Sequence, residues 1–239
     1  MKSALILTSN APRHVYFANR LAGQFDVKGI ISEPKFDYFA KQREESELVR
    51  QHFDRLDHFE MRYLGEFATF PDCPILHIDK QRINDAETLQ WALDKQVDVV
   101  LLFGTGILGA VWLSAFEGRI VNLHLGYSPR YRGAATLFWP FFHDELEFVG
   151  ATIHLAEANI DGGAVLKIVR PNIEPDDSYY DISYKTIKKA ADEMGGIVNS
   201  YLEGSLLAEK QDTGAQKYLY RKADFNTTAL AKVLDRYGI

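Results

Sequence analysis

Residues 97–103, Val-Asp-Val-Val-Leu-Leu-Phe, hold six apolar side chains around a single charge, and the last five are uninterrupted. A half-exposed strand alternates apolar with polar, whereas this run has no polar face. It therefore needs cover on both sides, the condition of a central strand in a parallel sheet. Parallel neighbours need crossover connections, usually helices. The rest of the chain supplies them. Residues 3–8 read as a buried first strand. Pro12 suits the first turn of a helix with Val15, Phe17, Ala18 and Leu21 on one face. A second strand is expected at 27–31. The stretch 36–67 carries Val49, Phe53, Leu56, Phe59, Tyr63 and Phe67 at steps of three or four, so it reads as one long helix or two shorter ones. Further strands are expected at 75–78, 120–123, 148–155 and 164–170. Further helices are expected at 84–95, 135–143 and 177–203, the last capped by Asp176 or Asp177. This is an α/β chain: a Rossmann-like open, mostly parallel sheet with helices on both faces. The main domain is expected over 1–204 and a short C-terminal extension over 205–239.

Composition limits the function classes. The net charge of −6 argues against a broad nucleic-acid surface. One cysteine, Cys73, leaves neither an intrachain disulfide nor a multi-cysteine zinc site. No stretch approaches the ~20 apolar residues of a membrane span. Met1-Lys2-Ser3 runs straight into a strand-like segment, without a signal h-region. The expectation is a cytoplasmic protein with neither membrane nor nucleic-acid partners. His143-Asp144-Glu145 reads as a solvated helix-end charge cluster, and no compact metal-ligand set is evident.

Gly104-Thr105-Gly106-Ile107-Leu108-Gly109 fits G-x-G-x-x-G after a strand, a dinucleotide signature. Three features oppose that reading. The motif follows a middle strand, the first turn (Ser9-Asn10-Ala11-Pro12-Arg13-His14) lacks glycine, and the strand after the motif ends in Asn122 and His124 without an acid. The alternatives are a strand-end loop whose backbone closely approaches a flat ligand, or a tight turn with no ligand.

Asn122 and His124 stand two apart at a strand end, so both face one side of the sheet. An amide and an imidazole there can donate to an oxygen that gains charge. The loop Ser128-Pro129-Arg130-Tyr131-Arg132-Gly133 follows. Asp161, in Asn159-Ile160-Asp161-Gly162-Gly163, falls on a turn between two strands. Alone it is a hairpin signal. Beside His124 it could hold the imidazole or steer a proton.

Asn-x-His at 122–124, the Pro-x-Tyr-Arg-Gly loop at 129–133 and the Asp-Gly-Gly turn at 161–163 together resemble the formyltetrahydrofolate-dependent formyltransferases. That family includes glycinamide ribonucleotide, methionyl-tRNA and sugar N-formyltransferases. Residues 95–170 carry the resemblance. Ser128 departs from it, standing where leucine is common. The resemblance implies a catalytic set of Asn122, His124 and Asp161, with N10-formyltetrahydrofolate as co-substrate and no metal. It implies a folate pocket of Phe103, Gly104, Thr105, Gly106, Ile107 and Leu108, closed by Glu157, Ala158, Asn159, Ile160 and Asp161. His124 and Asn122 would stabilise the oxyanion. Asp161 would orient His124 and assist removal of the amine proton, with water as a relay.

The acceptor is read from what differs. After Gly204 only about 35 residues remain, too few for the second domain of the methionyl-tRNA enzymes. The first loop carries Arg13 and His14 in place of a glycine-rich phosphate loop. Asn10, Arg13, His14, Tyr127 and Arg132 are thus expected to bind the acceptor, with Arg13 and His14 as cationic phosphate contacts. The favoured acceptor is a nucleotide-linked amino sugar, as in surface-polysaccharide synthesis, and a homodimer is allowed. The alternatives are a glycinamide ribonucleotide enzyme, a hydrolase of the same folate (whose relatives usually carry a regulatory domain before the first strand) and a non-catalytic folate- or nucleotide-binding module.

Overall fold

The computed structural model describes residues 1–35 and 40–238, apart from the side chains of 41, 42, 45 and 213. Nine strands appear among the described residues: β1 Ser3–Ser9, β2 Asp26–Glu33, β3 Ile75–His77, β4 Val99–Phe103, β5 Ile120–His124, β6 Tyr131–Gly133, β7 Ala151–Leu155, β8 Val165–Val169 and β9 Tyr218–Tyr220. The helices are α1 Pro12–Ala22, α2 Ala40–Glu45, α3 Glu47–Leu64, α4 Ala86–Leu93, α5 Ala110–Ala115, α6 Trp139–Phe142, α7 Tyr179–Leu202 and α8 Thr227–Tyr237. The main sheet has seven strands in the order β3-β2-β1-β4-β5-β7-β8. Pairs from β3 to β5 are parallel, and β7 and β8 join antiparallel. The run at 97–103 does form a central strand, β4, between β1 and β5, buried along its whole length.

Alternation sorts the side chains onto two faces. Ala4, Ile6, Leu101, Phe103, Val121 and Leu123 pack against α1, α3 and α7. Leu5, Leu7, Val100, Leu102 and Ile120 pack against Ala92, Trp112 and Phe116 from the α4 and α5 side. Ile120, Asn122 and His124 share this second face. The carboxyl ends of β1, β2, β4 and β5 come together along one edge, where open α/β sheets bind ligands.

The stretch expected as one or two helices is two. Ser46 caps α3, accepting from the Val49 N–H, and residues 36–39 lie outside the described ones. The cap of α7 is Ser178, not Asp176 or Asp177. Ser178 and Asp181 form a reciprocal capping box, while Asp177 binds Lys185 at 2.7 Å and accepts from the Glu174 N–H. The helix expected at 135–143 shrinks to α6 because Ala135 adopts a left-handed backbone. The segment after Gly204 is tied to the main body. β9 pairs in parallel with β6, and Glu209 bridges to Val165. Phe225, Ala229, Leu230 and Val233 join a second core with Phe138, Trp139 and Phe141. Glu145 is no solvated charge: it accepts from Arg130, Tyr131 and Lys217 at 2.7–2.9 Å. The Arg130 guanidinium, foremost among these, holds its carboxyl far below the usual range.

The start of α1 is stabilised across the fold. Pro12 has no N–H to offer, and the Arg13 N–H and guanidinium both donate to buried Glu60 of α3, at 2.9 and 2.6 Å. A carboxylate at a helix N-terminus is favourable, and this one also neutralises Arg13. Glu60→Ala strands a half-buried cation and uncaps the helix. We expect a loss of about 3 kcal/mol in urea unfolding, larger than for an exposed acid such as Glu87.

Candidate active site

Asn122 and His124 project from the end of β5, and Asp161 reaches them from the turn between β7 and β8. Asp161 Oδ1 lies 3.3 Å from His124 Nδ1 and 3.8 Å from His154 Nε2. His154, which sequence reasoning missed, pairs opposite Asn122 across β5 and β7. Its Nδ1–H donates to the Leu155 carbonyl at 2.8 Å, leaving Nε2 to accept from Asn122 Nδ2 at 3.1 Å. That contact fixes the Asn122 amide and leaves its second N–H for a ligand oxygen. Burial holds the His154 imidazole below its ordinary value, against the opposing pull of its bond to Leu155. A neutral His154 suits this accepting role. For Asp161, burial pushes the carboxyl up, but the hydrogen bond with His124, helped by the nearby Arg132 guanidinium, outweighs it. The net effect is a carboxyl below its ordinary value, ionised at neutral pH.

The supports of this set are equally specific. Asp161 has a left-handed backbone, φ 53°. Gln211, from the C-terminal segment, donates to the Asp161 and Gly163 carbonyls at 2.9 and 2.8 Å. A Cβ on Gly163 would lie 1.9 Å from the Leu155 oxygen, and one on Gly126 would lie 2.6 Å from His124 Nε2. Those two glycines let the chain pass where any side chain would displace the site. Thr136 donates to the Leu125 carbonyl at 2.5 Å and rests 3.3 Å from His124 Nε2.

The three residues open on a cleft of about 530 Å³. Phe103 through Leu108 line it, with Glu157 and Ile160 across from them, while Ala158 and Asn159 stand outside the lining. The loop is braced at three points: Glu33 accepts from the Gly106 N–H at 2.6 Å, and Asn84 bonds the Ile107 carbonyl and the Gly109 N–H. The Leu108 N–H and C=O have no hydrogen bond within the described residues, which suits a flat heterocycle carrying donors and acceptors. Gly104, φ 74°, passes His14 so closely that a Cβ would sit 2.4 Å from Nε2.

The residues expected at the acceptor divide. Arg13 and His14 line the cleft but do not form the expected pair of free cations. Arg13 is engaged by Glu60. His14 is buried against Phe103, ring centroids 4.9 Å apart, and burial, with Arg13 and Lys35 nearby, holds its imidazole well below the ordinary value. Asn10 accepts from the Lys35 N–H at 3.0 Å. Tyr127 packs edge-on against Phe148. Arg132 donates to Asn159, the Ile160 carbonyl and Gln216, so it clamps the Asp161 turn. Among the described residues no group of three or more His, Cys, Asp or Glu is placed to hold a metal ion. No helix among them is long and apolar enough to cross a membrane.

A fixed amide, an imidazole and an ionised carboxylate meet at the carboxyl edge of the sheet, an arrangement chemically able to donate to an oxygen that gains charge. Residues 4–195 match the family model described as formyl transferase, and the chain belongs to that family. It is 30% identical over 147 residues to a methionyl-tRNA formyltransferase of Geobacter sulfurreducens, covering 62% of this chain and 46% of that protein. The chain spans about half the length of the curated relatives it matches. Its fold is similar to that of phosphoribosylglycinamide formyltransferase from Streptococcus pneumoniae, with a TM-score of 0.54 and 24% identity, over 84% of this chain and 99% of that one. It is also similar to an N-formyltransferase from Helicobacter canadensis in complex with folinic acid and dTDP-3-aminofucose. There the TM-score is 0.60 and the identity 15%, over 98% of this chain and 80% of that one.

Proposed function

We propose that this protein transfers the formyl group of N10-formyltetrahydrofolate to the amine of a nucleotide-linked amino sugar. The observation that carries the reading is the 3.3 Å contact of Asp161 with His124 beside a fixed Asn122, at the mouth of a cleft floored by 103–108. The folate would lie along Phe103–Leu108, with Glu157 and Ile160 across from it, its ring reaching the free Leu108 backbone groups. It supplies the formyl carbon on N10. Asn122 and His124 donate to the formyl oxygen as charge builds there, where fixed donors are most effective. Asp161 holds the imidazole through Nδ1, compensates its charge and helps draw off the amine proton, through water where the two do not touch.

The acceptor class rests on the likeness to the Helicobacter canadensis protein, which is in complex with dTDP-3-aminofucose, and on a cleft that runs beyond the folate loop to β2. A panel tests it. Purified protein with N10-formyltetrahydrofolate is offered amino-sugar nucleotides, glycinamide ribonucleotide and methionyl-tRNA, and the N-formyl product is measured. The expected result is transfer to an amino-sugar nucleotide at a kcat/KM at least tenfold above the other two. Preference for either of those would reassign the acceptor and leave the chemistry standing.

A further inference from the structure

Glu33 ends β2 and is 5% exposed, yet it lines the cleft. One oxygen, Oε2, accepts from the Gly106 N–H at 2.6 Å. The other, Oε1, is buried and has no partner among the described residues. A carboxylate oxygen left unpaired in a buried setting is costly, so its place on a cleft wall points to a donor that arrives with a ligand.

Position identifies the donor. Register places Glu33 beside Ser9 of β1, Thr8 beside Phe103 of β4, and Leu102 beside Asn122 of β5. The Glu33 backbone is thus three strand spacings from Asn122, roughly 14 Å along the sheet edge, and its carboxylate reaches from there to the Gly106 N–H. One sugar ring carrying the reactive amine cannot span that gap. The next ring, beyond a diphosphate, can. Glu33 also follows the first βα turn by about twenty residues, at the end of the second strand. In doubly wound sheets an acid at this place accepts from ribose hydroxyls. Past it, a second hollow of about 570 Å³ adjoins the cleft at Pro34, lined by Asn10, His77, Arg82 and Trp91, with room for a base. The acid lies on β2, away from the strand that follows the glycine motif.

We propose that Glu33 accepts a hydrogen bond from a furanose hydroxyl of the acceptor's nucleotide. The proposal rests on the acceptor being nucleotide-linked. Calorimetry with UDP, ADP and GDP, each against its 2′,3′-dideoxy counterpart, tests it in the wild type and in Glu33→Gln, which can still accept from Gly106. A hydrogen bond to a charged group corresponds to about tenfold or more in affinity. The tightest ribonucleotide should therefore bind the wild type about tenfold better than its dideoxy form, and that ratio should fall toward one in Glu33→Gln. Glu33→Asp, which keeps the charge but withdraws the oxygen, serves the same comparison if Glu33→Gln does not fold. Folate binding should be retained in Glu33→Gln, which keeps the acceptor for the Gly106 N–H.

Three outcomes overturn the proposal: no ribonucleotide binds the wild type, the dideoxy forms bind equally well, or the ratio persists without the carboxylate. Loss of folate affinity in place of nucleotide affinity also overturns it and assigns Glu33 to the pterin. Failure of formyl transfer in the wild type is read separately, from the folate, and bears on the chemistry alone.

Discussion

His124→Ala should lower turnover by about 100-fold or more, the usual cost of losing an oxyanion donor, while the protein stays folded. The imidazole lies at a strand end on the cleft wall. Its polar contacts among the described residues are Asp161 and Thr136, and the Thr136 hydroxyl keeps its bond to the Leu125 carbonyl without it. The buried packing of β5 comes from Ile120, Val121 and Leu123. Truncation therefore removes chemistry more than structure. The measurement is kcat with the preferred acceptor, beside a thermal melt. A variant that melts like the wild type and turns over at nearly its rate would remove His124 from the mechanism.

Asp161→Asn should cost about 100-fold in kcat, within the range for loss of a positioned acid–base group. Asparagine suits this position because it tolerates the left-handed backbone that Asp161 adopts at φ 53°. The Gln211 bonds go to main-chain carbonyls and survive the change. What disappears is the negative charge beside His124. Alanine would add backbone strain and blur the reading. The wild-type carboxyl is held below its ordinary value, so it stays ionised as pH falls and protonates only as pH passes through that lowered value. The acid limb of the wild-type rate attributable to this group should therefore lie below the ordinary carboxylate range and vanish in Asp161→Asn. A folded Asp161→Asn protein with wild-type kcat would contradict the assigned role.

The central sheet and the shared face of Asn122 and His124 were legible because they rest on short-range rules, whereas the place of Asp161 beside His124 came only from the family resemblance. Uninterrupted apolar runs mark buried parallel strands, and a spacing of two puts Asn122 and His124 on one face. The remainder depends on partners distant in sequence. Arg13 looked like a free cation until Glu60, 47 residues later, supplied its counter-charge. Arg132, expected as an acceptor contact, also donates to Asn159 and the Ile160 carbonyl, a role that no local pattern signals. His154 and Gln211 gave no local signal. One reads as a residue in an apolar strand and the other as tail, and only the β5–β7 pairing and the fold-back of the C-terminal segment bring them to the site. Ser178 displaced Asp177 as a cap because a side chain one residue closer completed a box with Asp181. Glu33 gave no local signal either, since only the β1–β2 register and its bond to the Gly106 N–H bring its carboxylate to the cleft wall.

The most direct test of the central claim follows the formyl group itself. Purified protein is mixed with N10-formyltetrahydrofolate, and tetrahydrofolate formation is followed with and without an amino-sugar nucleotide, with the N-formyl product and free formate quantified together. The account predicts tetrahydrofolate and N-formyl product in equal amounts, only when the amine is present. Formate released at the same rate without an amine would instead make the protein a hydrolase of the same folate, and an untouched formyl group with every amine in the panel would contradict the account outright.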